Sequence, residues 1–149
     1  MKIGQLNMRR SPLVGELTLQ FLQNSKIVVL LVQDPPKTWQ TKSTIGRFTI
    51  FKSASDCRLT LILVDQKLQA SLVPVGASRV CVVELVFHLQ KVFFFSGYVQ
   101  PVTGVGCSEI GRALRAVGRY SWKCFGMDGM GTHQCGAQPW NQPIPKVFC

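Results

Sequence analysis

The chain is poor in acid: 7 Asp and Glu stand against 17 Lys and Arg in 149 residues, a net charge of +10. Such an excess repels cations and attracts polyanions, so it favours a nucleic acid or an anionic surface as partner over a basic one. The basic residues are scattered rather than run together, so charge alone leaves a merely basic domain open beside a nucleic-acid binder. A secretory leader is also lacking, because the opening apolar stretch is short and is followed by Arg9 and Arg10. No export is implied, and the expectation is a nuclear or cytoplasmic protein. An uninterrupted apolar run of membrane-spanning length is missing too: residues 80–99 contain Glu84, His88, Gln90 and Lys91, which would bury charge at mid-depth. The six cysteines have no paired spacing, so they read as reduced thiols rather than a disulfide framework. No internal repeat is visible.

What is present is apolar content of 46% with 16% charged residues, enough for one globular core and too apolar for disorder. Residues 2–7 alternate like a strand and end at Asn7. Ser11 and Pro12 supply a helix cap and first helical position, and Leu13, Leu17 and Phe21, with Leu22 alongside, predict an apolar helical face reaching about residue 24. Residues 27–32 are a continuous run of β-branched residues and leucine, bounded by Asp34-Pro35-Pro36. They predict a strand buried on both faces, parallel to the first. A polar loop over 37–46 leads to strands at 48–51 and 59–64, with 53–56 as turn material. Residues 80–87 and 92–99 predict a hairpin turning through His88-Leu89-Gln90-Lys91. Residues 108–117 predict a second helix, with Ser108 as cap and Glu109 in its first turn. A strand candidate spans 122–127, and from Asp128 onward Gly, Pro, Gln and Cys leave no periodicity. The order predicts a mixed α/β protein with sheets covered by helices.

Four stretches carry chemistry: Gln5-Leu6-Asn7-Met8-Arg9-Arg10-Ser11, Val29-Leu30-Leu31-Val32-Gln33-Asp34-Pro35-Pro36, Ser96-Gly97-Tyr98-Val99-Gln100-Pro101 and Phe125-Gly126-Met127-Asp128-Gly129-Met130. In order and spacing they resemble the abasic-endonuclease-like domain of insect-type non-LTR retrotransposons, a branch of the endonuclease/exonuclease/phosphatase superfamily, over most of the chain up to about His133. The resemblance implies a two-sheet α/β sandwich flanked by helices, a divalent metal (Mg²⁺ or Mn²⁺), nicking of target DNA and original fusion to a reverse transcriptase. It makes residues 1–133 the N-terminal part of the domain and residues 134–149 an irregular tail, incomplete at the C-terminus.

The implied roles suit phosphodiester hydrolysis, which needs phosphate charge neutralised, water activated and donors for the developing charge. Asn7 and Asp34 stand at the metal site, Asp34 where the family has a glutamate one methylene longer. Tyr98 matches a residue contacting the scissile phosphate. Asp128 matches the aspartate of a Gly-x-Asp-x-Asn signature, the general base. Arg9, Arg10 and His133 are the nucleic-acid contacts. The chain departs from the pattern at Met130, which replaces the signature's asparagine and offers no amide, at Cys135 in place of a tryptophan, and in lacking a closing Asp-His pair. The expectation is therefore an impaired or inactive DNA endonuclease. Its rivals are a non-catalytic nucleic-acid-binding domain and a phosphatase-like phosphoesterase of the same fold. Each residue also has a plainer reading: a turn carboxylate at Asp34, a strand-edge aromatic at Tyr98, a solvated turn histidine at His88. A zinc site from Cys124, His133, Cys135 and Cys149 lacks any Cys-x-x-Cys pair.

Overall fold

Ser11 begins the first helix as expected: its hydroxyl accepts from Val14 N at 3.3 Å, and Pro12 occupies the first helical turn. In this computed structural model, which describes residues 1–53, 59–87, 89–98, 107–117, 124–128 and 131–135 (backbone alone for 107, 124–128 and 131–135), the elements follow in order. They are β1 (Lys2–Asn7), α1 (Pro12–Asn24), β2 (Ile27–Gln33), α2 (Lys37–Gln40), β3 (Thr44–Ile45), β4 (Phe48–Lys52), β5 (Thr60–Asp65), β6 (Ala70–Leu72), β7 (Val80–Phe87), β8 (Gln90–Gly97), α3 (Cys107–Val117), β9 (Cys124–Asp128) and β10 (Gly131–Cys135).

Two sheets result, ordered β1-β2-β5-β4-β3 and β6-β7-β8, with β9 and β10 as a separate antiparallel pair whose β9 runs close to β8. β1 and β2 pair in parallel across α1, and all other described pairings are antiparallel. Strand alternation assigns each residue a layer. Val29, Leu31, Ile62 and Val64 face Cys81, Val83, Leu85 and Phe94 between the sheets. Leu30, Val32, Leu61 and Leu63 face outward onto Leu22 of α1 and Trp39 of α2. Val80, Val82 and Phe93 take Ala113 and Val117 of α3 on the other side. The chain is thus a two-sheet α/β sandwich with helices outside both sheets, as expected from the sequence. Among the described residues no helix is long and apolar enough to cross a membrane.

The expected helical face is corrected. Leu13, Leu17 and Phe21 are 64%, 55% and 62% exposed, while Gly15, Thr18 and Leu22 turn inward. The reason is room. A Cβ built on Gly15 would stand 3.0 Å from Pro36 Cγ and 3.3 Å from Trp39 Nε1, so the first half of the helix seats against α2 only because residue 15 is glycine. Thr18 is tolerated there because its hydroxyl donates to Val14 O at 2.6 Å.

Other departures are local. The polar loop contains α2 and β3. The hairpin turns more tightly than expected, since Phe87 pairs with Gln90 and Lys91 lies in β8, reaching Glu84 Oε1 at 3.0 Å. Leu89, fully exposed, takes the left-handed backbone that this turn needs (φ 63°); His88 lies outside the described residues. Helix α3 begins one residue before the expected cap, placing Ser108 inside it. β10 is a strand that the composition gives no sign of. At the end of the first sheet remote from Asn7, Arg47 donates through Nη2 to Ser25 O (2.9 Å) and Ile27 O (3.0 Å). Its Nε lies 2.9 Å from Asp65 Oδ2, so it clamps the start of β2 to β4 and β5.

Candidate active site

Parallel β1 and β2 end on the same side of the sheet, and this brings Asn7 and Asp34 together. Asn7 pairs with Gln33; Met8 N then donates to Gln33 O at 2.9 Å, and Asp34 N to Leu59 O at 2.9 Å. The chain turns back at once: Ser11 N donates to Met8 O at 2.9 Å and Arg10 N to Asp34 O at 2.8 Å. Arg9, Arg10 and Asp34 all adopt positive φ (46°, 58° and 45°), a region that side-chain-bearing residues seldom enter and that persists where surroundings over-determine it. Asn7 Oδ1 accepts from Arg9 N at 3.0 Å. Asp34 Oδ1 lies 3.7 Å from Arg10 Nε, with the carboxylate 16% and the guanidinium 61% exposed.

The second sheet reaches the same rim through two bonds between residues 64 apart. Gln33 Nε2 donates to Gly97 O at 2.8 Å, and Ser96 Oγ, 3% exposed, donates to Val32 O at 3.1 Å. Asp34 and Tyr98 are therefore each one residue beyond a direct bond between their strands. Tyr98 N donates to Arg79 O at 3.0 Å, and Arg79 N donates to Glu109 Oε2 of α3 at 2.8 Å, with Ser78 Oγ donating to the same carboxylate at 3.0 Å. Burial would raise the Glu109 pKa, but the Arg79 amide, the Ser78 donors and the Arg112 charge outweigh it and hold the carboxyl below its usual value. α3 approaches closely because residue 97 is glycine: a Cβ there would stand 3.1 Å from Ile110 Cδ1. The buried layer below the rim is polar as well, since Thr60, opposite Gln33 in β5, is fully buried, with no partner for its hydroxyl among the described residues.

Of the residues expected to act, the structure gathers Asn7, Arg9, Arg10, Asp34 and the backbone of Tyr98 at one rim. Asp128 closes β9, which runs close to β8, and His133 pairs with Gly126 in β10. The side chains of both lie outside the described residues, as do Met130 and Cys149. Among the described residues no group of three or more His, Cys, Asp or Glu forms a metal cluster. Asp34 and Asn7 offer the hard oxygens that Mg²⁺ prefers. The joining roles of Gln33 and Ser96 have no signal in the sequence, because a glutamine or serine closing an apolar strand looks like an ordinary strand end until its partner is known; Glu109 is legible only as a first-turn acid of the helix, not as the acceptor of the 78–79 segment.

No family model and no curated protein matches the chain. Among solved structures it is similar to "Endonuclease domain of TRAS1, a telomere-specific non-LTR retrotransposon", at 20% identity and TM-score 0.63, over 81% of this chain and 55% of that one. It is also similar to a humanized D. rerio TDP2 carrying 14 mutations, at 12% identity and TM-score 0.54, over 80% of this chain and 63% of that one. The chain spans less than two thirds of the length of either, and what it shares with them is the fold, the two-sheet sandwich.

Proposed function

We propose that this chain carries the N-terminal part of a metal-dependent DNA phosphodiesterase that nicks DNA, with activity impaired by the loss of one donor. The observation that supports the reading most is the Gln33–Gly97 bond, which sets the strand ends bearing Asp34 and Tyr98 side by side, next to Asn7. In this reading Asp34 and Asn7 hold Mg²⁺ or Mn²⁺, which when bound neutralises phosphate charge. Tyr98 donates its phenol to the phosphate, Asp128 takes the proton of the attacking water, and Arg9, Arg10 and His133 contact the DNA backbone. Met130 offers no amide to the phosphate, which accounts for weak turnover. A retrotransposon context, with fusion to a reverse transcriptase and action in the nucleus, extends the likeness to the TRAS1 domain.

The test is conversion of supercoiled plasmid to nicked circles with Mn²⁺ or Mg²⁺, using the chain, Asp34→Ala, Asp128→Ala and Met130→Asn. Nicking that is slow in the chain, absent in both alanine variants and faster in Met130→Asn supports the assignment. A folded Met130→Asn variant that cannot nick, or an Asp128→Ala variant that nicks like its parent, overturns it. A second reading, a non-catalytic DNA-binding domain, is favoured by one observation, the guanidinium of Arg10 beside Asp34. Duplex binding would then fall with salt but be indifferent to chelator.

A further inference from the structure

We propose that Arg10 serves as the internal cation of Asp34, so that its guanidinium and a divalent metal ion compete for one carboxylate. The inference rests on the reading of Asp34 as the metal ligand and adds what governs access to it. Proximity of the two residues is built into the backbone. Met8, fully buried, anchors the segment; the Ser11 N to Met8 O bond closes a turn over Arg9 and Arg10; and the Arg10 N to Asp34 O bond of 2.8 Å ties the turn to the end of β2. The turn carries Arg9 and Arg10 at positive φ, and Asp34, to which it is tied, has positive φ as well. The backbone therefore holds the start of the Arg10 side chain close to Asp34.

The side-chain geometry fits a counter-ion that can leave. At 3.7 Å the Arg10 Nε to Asp34 Oδ1 approach is an ion-pair contact, longer than a hydrogen bond. The Arg10 side chain is mostly exposed while that of Asp34 is mostly covered. Affinity of oxygen sites for hard cations follows the number of carboxylate charges, and here the single negative charge is matched by Arg10, with Arg9 adjacent. The other candidate oxygen, Asn7 Oδ1, already accepts from Arg9 N. A metal ion gains the carboxylate only as Arg10 withdraws, and the group best able to receive Arg10 is a phosphodiester, which a guanidinium binds through two parallel bonds. Metal and phosphodiester would then each favour the other's binding.

The experiment measures Mn²⁺ binding without DNA, from the loss of the electron paramagnetic resonance signal of free Mn²⁺. It compares the chain with Arg10→Asn, Arg9→Asn, Asp34→Asn and the Arg10→Asn/Asp34→Asn double variant. Asparagine is chosen at 9 and 10 because it tolerates positive φ, and circular dichroism verifies folding. An exposed ion pair is a modest competitor, so Arg10→Asn should bind Mn²⁺ roughly two- to fivefold more tightly. Arg9→Asn removes an equal charge from a side chain that makes no ion pair with Asp34 among the described residues, and should gain less than half as much. Equal gains from both, no gain from Arg10→Asn, or no measurable binding even in Arg10→Asn would overturn the proposal. If Asp34→Asn leaves binding unchanged in both backgrounds, the metal-ligand reading itself fails. If Asp34→Asn abolishes binding while Arg10→Asn does not tighten it, only the competition fails.

Discussion

Replacing Gln33 by leucine isolates the joint between the sheets, because the two side chains are of similar size and the change removes little but the amide. The wild-type amide donates to Gly97 O at 2.8 Å. Losing one neutral hydrogen bond costs about 1 kcal/mol net, and up to about 3 if the carbonyl is left dry. Ser96→Ala removes the companion bond to Val32 O at about 1 kcal/mol. For a chain of this length each kcal/mol lowers Tm by roughly 2–4 °C. If both bonds hold one joint, the double variant should cost measurably less or more than the sum, by about 0.5 kcal/mol or above. Urea melts give the global change, and amide hydrogen exchange gives its location. The Tyr98 and Asp34 amides, which donate to Arg79 O and Leu59 O, should exchange faster, by about tenfold for each 1.4 kcal/mol of lost protection. Amides in the middle of β4 and β5 should hardly change. If Tyr98 exchange is unaltered in Gln33→Leu, or if protection falls evenly across both sheets, the bond is not what fixes the rim and the argument for a joint site loses its support.

The rotated face of α1 gives a paired expectation for thermal or urea melts: Leu22→Ala should cost about 2–5 kcal/mol, whereas Leu17→Lys should stay within about 0.5 kcal/mol of wild type. A large loss from Leu17→Lys would restore the face expected from spacing alone. Cys81 is buried, and burial, only partly offset by a hydrogen bond with the Ile62 backbone, pushes its thiol up to about 12. Peptide mass spectrometry after iodoacetamide at mildly alkaline pH should find it unmodified in the folded protein and labelled in urea; equal labelling in both would refute its burial. Glu109→Ala should cost about 1 kcal/mol near neutral pH by freeing the 78–79 segment. Because the folded carboxyl titrates below its unfolded value, its stabilisation is full above the ordinary carboxylate range and disappears as pH falls through the folded pKa. Wild type and variant should therefore converge in acid urea melts, and a gap that persists there would contradict the assignment.

Much of the architecture is legible before any coordinates. Residues 27–32 read as a doubly buried strand because nothing polar interrupts them, and β2 is buried from Val29 to Val32. Ser11-Pro12 marks the start of α1, and the β-α-β opening makes β1 and β2 parallel, which alone carries Asn7 and Asp34 to one rim. The face of α1 was not legible, because leucine spacing says which residues share a side of a helix but not which side meets the sheet. Steric room beside Pro36 and Trp39 settles that in favour of Gly15, Thr18 and Leu22. β10 and the two-residue hairpin turn were hidden for a related reason: pairing partners, rather than local composition, create them.

The site divides along the same line. Residue types and order name Asn7, Asp34 and Tyr98 as candidates only through the family resemblance that their motifs carry. Tertiary structure alone decides that Gln33 and Ser96 join the two sheets at the rim, that Glu109 steadies the segment beneath Tyr98, and that Arg10 faces Asp34. Hydrogen bonds and charge contacts act over a few ångströms, and residues 64 positions apart enter that range only when the fold closes.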